Sequence, residues 1–174
     1  VLHWIKGSGI DSAPPRFQRG TSTISAGWVT TFSEYTVVSE NRVTPFTAEI
    51  GFAAAALMGC AVTTGLGIVF NNAALMPGQS IAVFGVGGVG INVIQGAALV
   101  NAYPVVAIDL FDHKLEQAKI FGATHTLNAS HSDVAKVLSN ITDGKGFDAV
   151  VDVTGNSGVR QTAYNATSNT GITI

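Results

Sequence analysis

The stretch from Gln79 to Asp109, QSIAVFGVGGVGINVIQGAALVNAYPVVAID, leaves the fold little freedom, because it reads as a strand, a glycine-rich turn, a helix and a second strand. Ser80 to Phe84 is an apolar run of strand length, and Gly85-Val86-Gly87-Gly88-Val89-Gly90 follows at once with the G-x-G-x-x-G spacing. The first glycine allows a tight turn, the second a close approach of backbone to a pyrophosphate, and the third close packing of helix on sheet. Val89 to Leu99 continues as a helix whose N-terminal N–H groups and dipole face the turn and favour a bound phosphate. Val105 to Ile108 forms the next strand and ends in Asp109, about 20 residues beyond the glycines, where a carboxylate can accept both ribose hydroxyls of an adenosine. The acid favours NAD; a 2′-phosphate would be repelled there, and no arginine follows to compensate. The rival within such a fold is a methyl-donor-binding transferase, whose glycine loop commonly lacks this tight helix entry.

Downstream the pattern repeats. Asp112 to Phe121 carries Leu115, Ala118 and Phe121 at helical spacing with Lys114, Glu116 and Lys119 outside. His125 to Asn128 is a third strand, Ser132 to Ile141 a helix, Phe147 to Val153 a fourth strand, and Thr154-Gly155-Asn156 turns into a helix reaching about Ala166. Gly171 to Ile174 begins a fifth strand. Such alternation implies an α/β fold, a doubly wound parallel sheet of order 3-2-1-4-5 with right-handed crossovers. A sixth strand should follow, so the chain is expected to be a segment of a longer protein.

The preceding part differs. Val1 to Thr31 has Gly7, Gly9, Pro14, Pro15, Gly20 and Gly27 without a sustained period and reads as loops, with Lys6, Arg16 and Arg19 solvated and His3 and Trp4 packed. Thr30 to Val38, TTFSEYTVV, is β-branched and aromatic enough for a half-buried strand. Thr47 is a candidate N-cap for a helix running to about Met58, Gly59-Cys60 a break, and Val62 to Asn71 a second helix before the Met76-Pro77-Gly78 turn. The expected division is therefore 1–48 as part of a β-rich domain, 49–77 as inter-domain helices, and 78–174 as a nucleotide-binding domain lacking its last strand.

Composition narrows the function. Charged residues make up 11% of the 174 and the net charge is −2, against a usual charged share of about 25%. This points to a covered surface and gives no basic footprint for nucleic acid. No charged residue or histidine lies between Glu49 and Asp109, so Ile50 to Phe70 is long enough for a membrane span. Its glycines, Thr63 and Thr64, and the lack of flanking basic residues favour buried helices instead, and no membrane partner is expected. The single cysteine fits a reducing, cytoplasmic compartment.

At Gly59-Cys60-Ala61-Val62-Thr63-Thr64-Gly65-Leu66-Gly67, at Pro77-Gly78 and at Val83 to Gly90, the chain resembles the zinc-containing alcohol dehydrogenases of the medium-chain dehydrogenase/reductase family. Thr31 to Val38 and Phe121-Gly122-Ala123-Thr124 extend the likeness; Val1 to about Gly27 matches loosely. The resemblance implies a GroES-like catalytic domain, here present as a remnant, beside a Rossmann domain, with NAD and zinc as cofactors. It implies that Cys60 is a ligand of the catalytic zinc, that Thr64 lies beside the nicotinamide and Val89 packs on its ring, and that Asp109 and Lys114 hold the adenosine ribose. Val153, Thr154 and Gly155 would line the cofactor groove. The implied reaction interconverts a small alcohol with an aldehyde or ketone by zinc-assisted hydride transfer. The association usual in the family, together with the covered surface, makes a homo-oligomer the expectation.

Read without the family, Cys60 is a small buried hydrophobe, Thr64 a capping hydroxyl, Lys114 a solvated charge, and Val89 and Val153 core residues. Catalytic zinc needs three protein ligands and an open position. Of the family's set only Cys60 is present; the upstream Cys and His, the structural-zinc cysteines and the proton-relay hydroxyl are absent, so the segment alone is expected to be inactive. Two other functions fit the same residues: a non-catalytic NAD-binding redox-sensing module, and a zinc-free reductase of the same superfamily.

Overall fold

The structure, a computed structural model describing residues 1–25, 27–47 and 49–174, divides into two units, Val1–Cys60 and Ala61–Ile174. The first has little regular structure. β1 (Arg16–Arg19) and β2 (Ser22–Ser25) form an antiparallel hairpin, Arg16 opposite Ser25, turned at Gly20 with φ +60°. All its residues are exposed. The hairpin lies in the stretch expected to be loops; each strand has one apolar residue, Phe17 or Ile24, too few for an alternating period to register. Conversely, Thr30 to Val38 forms no strand: it runs as bends and irregular backbone, with Phe32 and Tyr35 exposed. Strand propensity is a fit to a half-buried pleated surface, and among the described residues this run joins no sheet. Trp4 is also exposed rather than packed, whereas His3 is held by the Ile5 carbonyl and the Thr44 hydroxyl.

The helix after this unit's turns starts later than expected. α1 (Phe52–Leu57) has Gly51 at its N-cap with no side-chain cap bond, while the Thr47 carbonyl accepts from Ile50 N–H. Gly59-Cys60 does not break the helical backbone: a π-helical turn, Met58–Val62, leads into α2 (Thr63–Gly67) and a second π turn, Ile68–Asn72. Gly59 and Gly65 both have right-handed neighbours, and an isolated glycine weakens a helix by only about 1 kcal/mol. By length and composition Phe52–Asn72 could cross a bilayer, with a mean hydropathy of 1.9. Within the second unit, however, Ile68 and Val69 of this stretch are buried in the core.

That second unit is built on β3 (Ile81–Phe84), whose four residues are all buried. α3 (Gly88–Leu99), β4 (Val105–Asp109), α4 (Asp112–Ile120), β5 (His125–Asn128), α5 (Val134–Ile141), β6 (Phe147–Asp152), α6 (Ser157–Ala166) and β7 (Thr167–Thr173) follow in turn. The five strands form one parallel sheet of order β5-β4-β3-β6-β7, the doubly wound order expected from the alternation. Side chains leave opposite faces in alternation. Ile81, Val83, Val105, Ala107, Ala149 and Val151 pack with Val93, Ile94 and Ala97 of α3 on one face. Ala82, Phe84, Val106, Ile108 and Val150 pack with Leu138 and Ala163 of α5 and α6 on the other. Both faces are covered, which is why the strands read as continuous apolar runs. On α4, Leu115 and Ala118 are buried as the spacing required, but Phe121, just past its end, stays 38% exposed. β7 begins directly after α6 and is longer than the expected Gly171–Ile174; its polar sequence, TSNT, hid its first half.

Candidate functional site

The C-terminal ends of β3, β4 and β6 lie side by side, since Phe84 is level with Ile108 and with Asp152. This is where a doubly wound sheet binds ligands. The turn after β3 is shaped by its glycines. Gly85 has φ +91°, a conformation L side chains rarely adopt, and a Cβ on it would lie 3.0 Å from Thr154 Cγ2. A Cβ on Gly90 would lie 1.9 Å from the Gly85 carbonyl oxygen, so only glycine lets α3 seat on the strand. Gly87 differs: a Cβ there would meet nothing within 4 Å, so its backbone borders open space at the start of α3. No acid occupies the first turn of that helix, leaving its positive end to an external anion. A Cβ on Gly88 would lie 3.5 Å from Ala61 Cβ, an ordinary van der Waals contact.

Asp109 closes the other side. It is 8% exposed, and a carboxylate at the end of a buried strand needs partners. Its Oδ2 accepts from Val86 N–H at 2.8 Å, and its Oδ1 from Leu110 and Phe111 N–H at 2.8 and 3.1 Å. Lys114 Nζ stands 3.6 Å from Oδ2 and 5.2 Å over the Phe111 ring. Of about four lone-pair positions on a carboxylate, three are occupied by backbone donors. About one further acceptor position is left for the ribose hydroxyls that the sequence assigned to Asp109, with Lys114 Nζ on the Oδ2 side.

A groove of about 470 Å³ joins these parts, lined by Phe84, Gly85, Gly87, Ile108 to Phe111, Lys114, Ala129, Val153, Thr154, Asn156 and Val159. A second hollow of about 400 Å³, bordered by Val86, Gly87, Gly88, Ile91, His113, Lys114, Gln117 and Phe121, adjoins it across Lys114. Gly85, Gly87, Asp109, Lys114, Val153 and Thr154 are thus brought together as the sequence suggested. A larger hollow, about 810 Å³, lies by Ser80, Tyr103 and Asp148 at the opposite end of the strands, away from the glycine turn.

Other named residues stand apart from the groove. Val89, in the first turn of α3, is half-buried against the core. Thr64 is exposed on α2, which packs tightly on α3: a Cβ on Gly65 would lie 2.7 Å from the Val89 carbonyl oxygen. Gly155, with φ +72°, has open space where a Cβ would be. Cys60 is exposed, not buried as its apolar neighbours suggested, and belongs to the first unit, where it lines a hollow with His3 and Trp4. Sequence reasoning missed Val86, whose contribution is a backbone N–H, and Phe111, which no spacing rule marks. Asn156 could have been found, because Asn after a glycine and before a helical run is an N-cap signal; it accepts from Gly158 and Val159 N–H.

The donor set decides which groups the site can hold. Open backbone at Gly87, the positive end of α3 and the Asp109–Lys114 pair fit a dinucleotide. A catalytic zinc is not fitted by these residues: among the described residues no group of three His, Cys, Asp or Glu side chains is placed to hold a metal.

Comparison with known proteins agrees with this fold. The family model for zinc-binding dehydrogenases matches residues 88–173. An S-(hydroxymethyl)glutathione dehydrogenase of Synechocystis is 42% identical over 135 residues, covering 76% of this chain and 36% of that protein. Its counterpart in Saccharomyces cerevisiae is 40% identical over 141 residues, covering 78% of this chain and 36% of that protein. Among solved structures, an alcohol dehydrogenase zinc-binding domain protein from Burkholderia ambifaria superposes with a TM-score of 0.74 at 31% identity, covering 78% of this chain and 36% of its own. The chain spans little more than a third of the length of the curated relatives it matches.

Proposed function

Because the chain belongs to the zinc-binding dehydrogenases, the zinc-containing alcohol dehydrogenases of the medium-chain dehydrogenase/reductase family, we propose that it is the cofactor-binding part of an NAD-dependent oxidoreductase acting on small alcohols and carbonyl compounds. The observation that carries this is the glycine turn: Gly85 and Gly90 are forced by fit, while Gly87 leaves its backbone open beside a helix N-terminus. When bound, the dinucleotide supplies a hydride acceptor that the twenty side chains lack.

The chain's own residues bind and orient. The N–H groups at the start of α3 hold the pyrophosphate, and Gly87 allows it to approach. Asp109 accepts one ribose hydroxyl at its remaining position, and Lys114, at its flank, donates to the other. The negative charge of Asp109 disfavours a 2′-phosphate, so NAD is preferred to NADP. Val153 and Thr154 form the wall at the end of β6, and Gly155 turns the chain away just beyond it. Thr64 and Val89 set the nicotinamide end, which is supported by the tight α2–α3 packing at Gly65.

Cys60 is proposed as one zinc ligand of the whole protein. Residues 1–48 are proposed as part of a GroES-like catalytic domain and 49–77 as the connecting helices. The protein is read as a homo-oligomer of the cytoplasm, the latter supported by its single cysteine. The test is alcohol-dependent reduction of NAD by the whole protein, with zinc content measured alongside. Reduction of NAD that needs both alcohol and zinc supports the reading; NAD binding with neither oxidation of any alcohol nor reduction of any carbonyl compound contradicts it.

A further inference from the structure

Asp152, the last residue of β6, is used by none of the steps above. It is fixed between neighbouring strands, opposite Phe84 on β3 and with its N–H donating to the Ile174 carbonyl at 2.8 Å. Its Oδ1 accepts from Thr154 N–H at 2.9 Å and from the Thr154 hydroxyl at 2.6 Å. The same hydroxyl oxygen accepts from Asn156 N–H at 3.2 Å. A hydroxyl has a single proton to donate, so that of Thr154 is committed to Asp152. The β-branched side chain is stiff about χ1, and fixing its hydroxyl also fixes its methyl. That methyl faces the glycine turn, at the 3.0 Å approach to a Cβ position on Gly85.

We propose that Asp152 is a positioning residue for cofactor binding, locking Thr154 so that its methyl forms the groove wall against Gly85 and its hydroxyl is turned away. This rests on the dinucleotide reading above. Without Asp152, Thr154 is free to rotate and offer a hydroxyl to the groove, and the backbone N–H groups of Thr154 and Asn156 lose the fixed acceptors that shape the turn into α6. Asp152 touches no reacting atom; it acts through Thr154.

The experiment is titration of the 174-residue chain with NADH and with ADP-ribose, for the unchanged chain, Asp152→Ala, Asp152→Asn, Thr154→Ala and the double variant, with thermal melting of each. Asp152→Ala should weaken both ligands about tenfold, the scale of one hydrogen bond to a charged group. Asp152→Asn, whose amide oxygen can still accept both bonds, should stay within about twofold. In the Thr154→Ala background, Asp152→Ala should cause no further loss, because the two act as one unit. Unchanged affinity in Asp152→Ala, even with a lowered melting temperature, would overturn the inference and leave Asp152 a purely structural residue. Losses that add independently in the double variant would overturn it too. Failure of the unchanged chain to bind either ligand would refute the dinucleotide reading itself, and the inference with it.

Discussion

Asp109 Oδ2 accepts the backbone N–H of Val86 at 2.8 Å, joining the end of β4 to the middle of the glycine turn after β3. One carboxylate therefore holds the turn and, in the proposed reading, would offer its remaining acceptor position to the ribose. Structure and specificity are coupled at this residue. Asp109→Asn keeps the size but loses the charge, and it should bring NADH and NADPH affinities closer by about tenfold or more. It should also lower stability, since a buried donor left unpaired costs about 1 to 3 kcal/mol. Paired NADH and NADPH titrations with a denaturant melt check both; an unchanged preference would dismiss Asp109 as the discriminator.

Gly87 and Gly90 should separate folding from binding. Alanine at Gly87 meets open space and an ordinary negative φ, −92°, so the fold should be unharmed and should gain up to about 1 kcal/mol from reduced chain entropy. NADH binding should nevertheless weaken, because the methyl fills the pyrophosphate approach. Circular dichroism melts and NADH titration of Gly87→Ala measure the two effects separately.

Alanine at Gly90 is the opposite case. Its Cβ would stand 1.9 Å from the Gly85 carbonyl oxygen, and backbone cannot yield as a flexible side chain can. Gly90→Ala should destabilise the chain by at least about 1 to 3 kcal/mol, the usual cost of overpacking, and binding should fall with it. A denaturation midpoint equal to that of the unchanged chain would show that α3 is not seated as described.

These contrasts show where the sequence was informative. The sheet order and the glycine turn were legible because both faces of β3, β4 and β6 are buried, so their patterns are local and strong. The hairpin Arg16–Ser25 and the failure of Thr30 to Val38 to pair were not, since pairing depends on neighbours that a single run does not encode. Asp109 was legible by its distance from the glycines, but its three backbone partners were not: N–H donors leave no mark in side-chain identity. The same is true of the Asp152–Thr154 pair, two ordinary residues until their geometry is seen. Cys60 lies between these cases, named through a family likeness and exposed in a unit whose described residues assemble no metal site.

Cys60 gives a prediction for the whole protein. Cys60→Ala should reduce bound zinc, measured by metal analysis after dialysis, while NADH affinity stays within about twofold. Full zinc content with full activity in that variant would remove Cys60 from the ligand set.

The most direct test of the central claim is calorimetric titration of the 174-residue chain with NADH and then NADPH, at one salt concentration and without zinc. The account predicts that NADH binds, and binds about tenfold or more tightly than NADPH. Binding of neither by the folded chain, or tighter binding of NADPH, would contradict it.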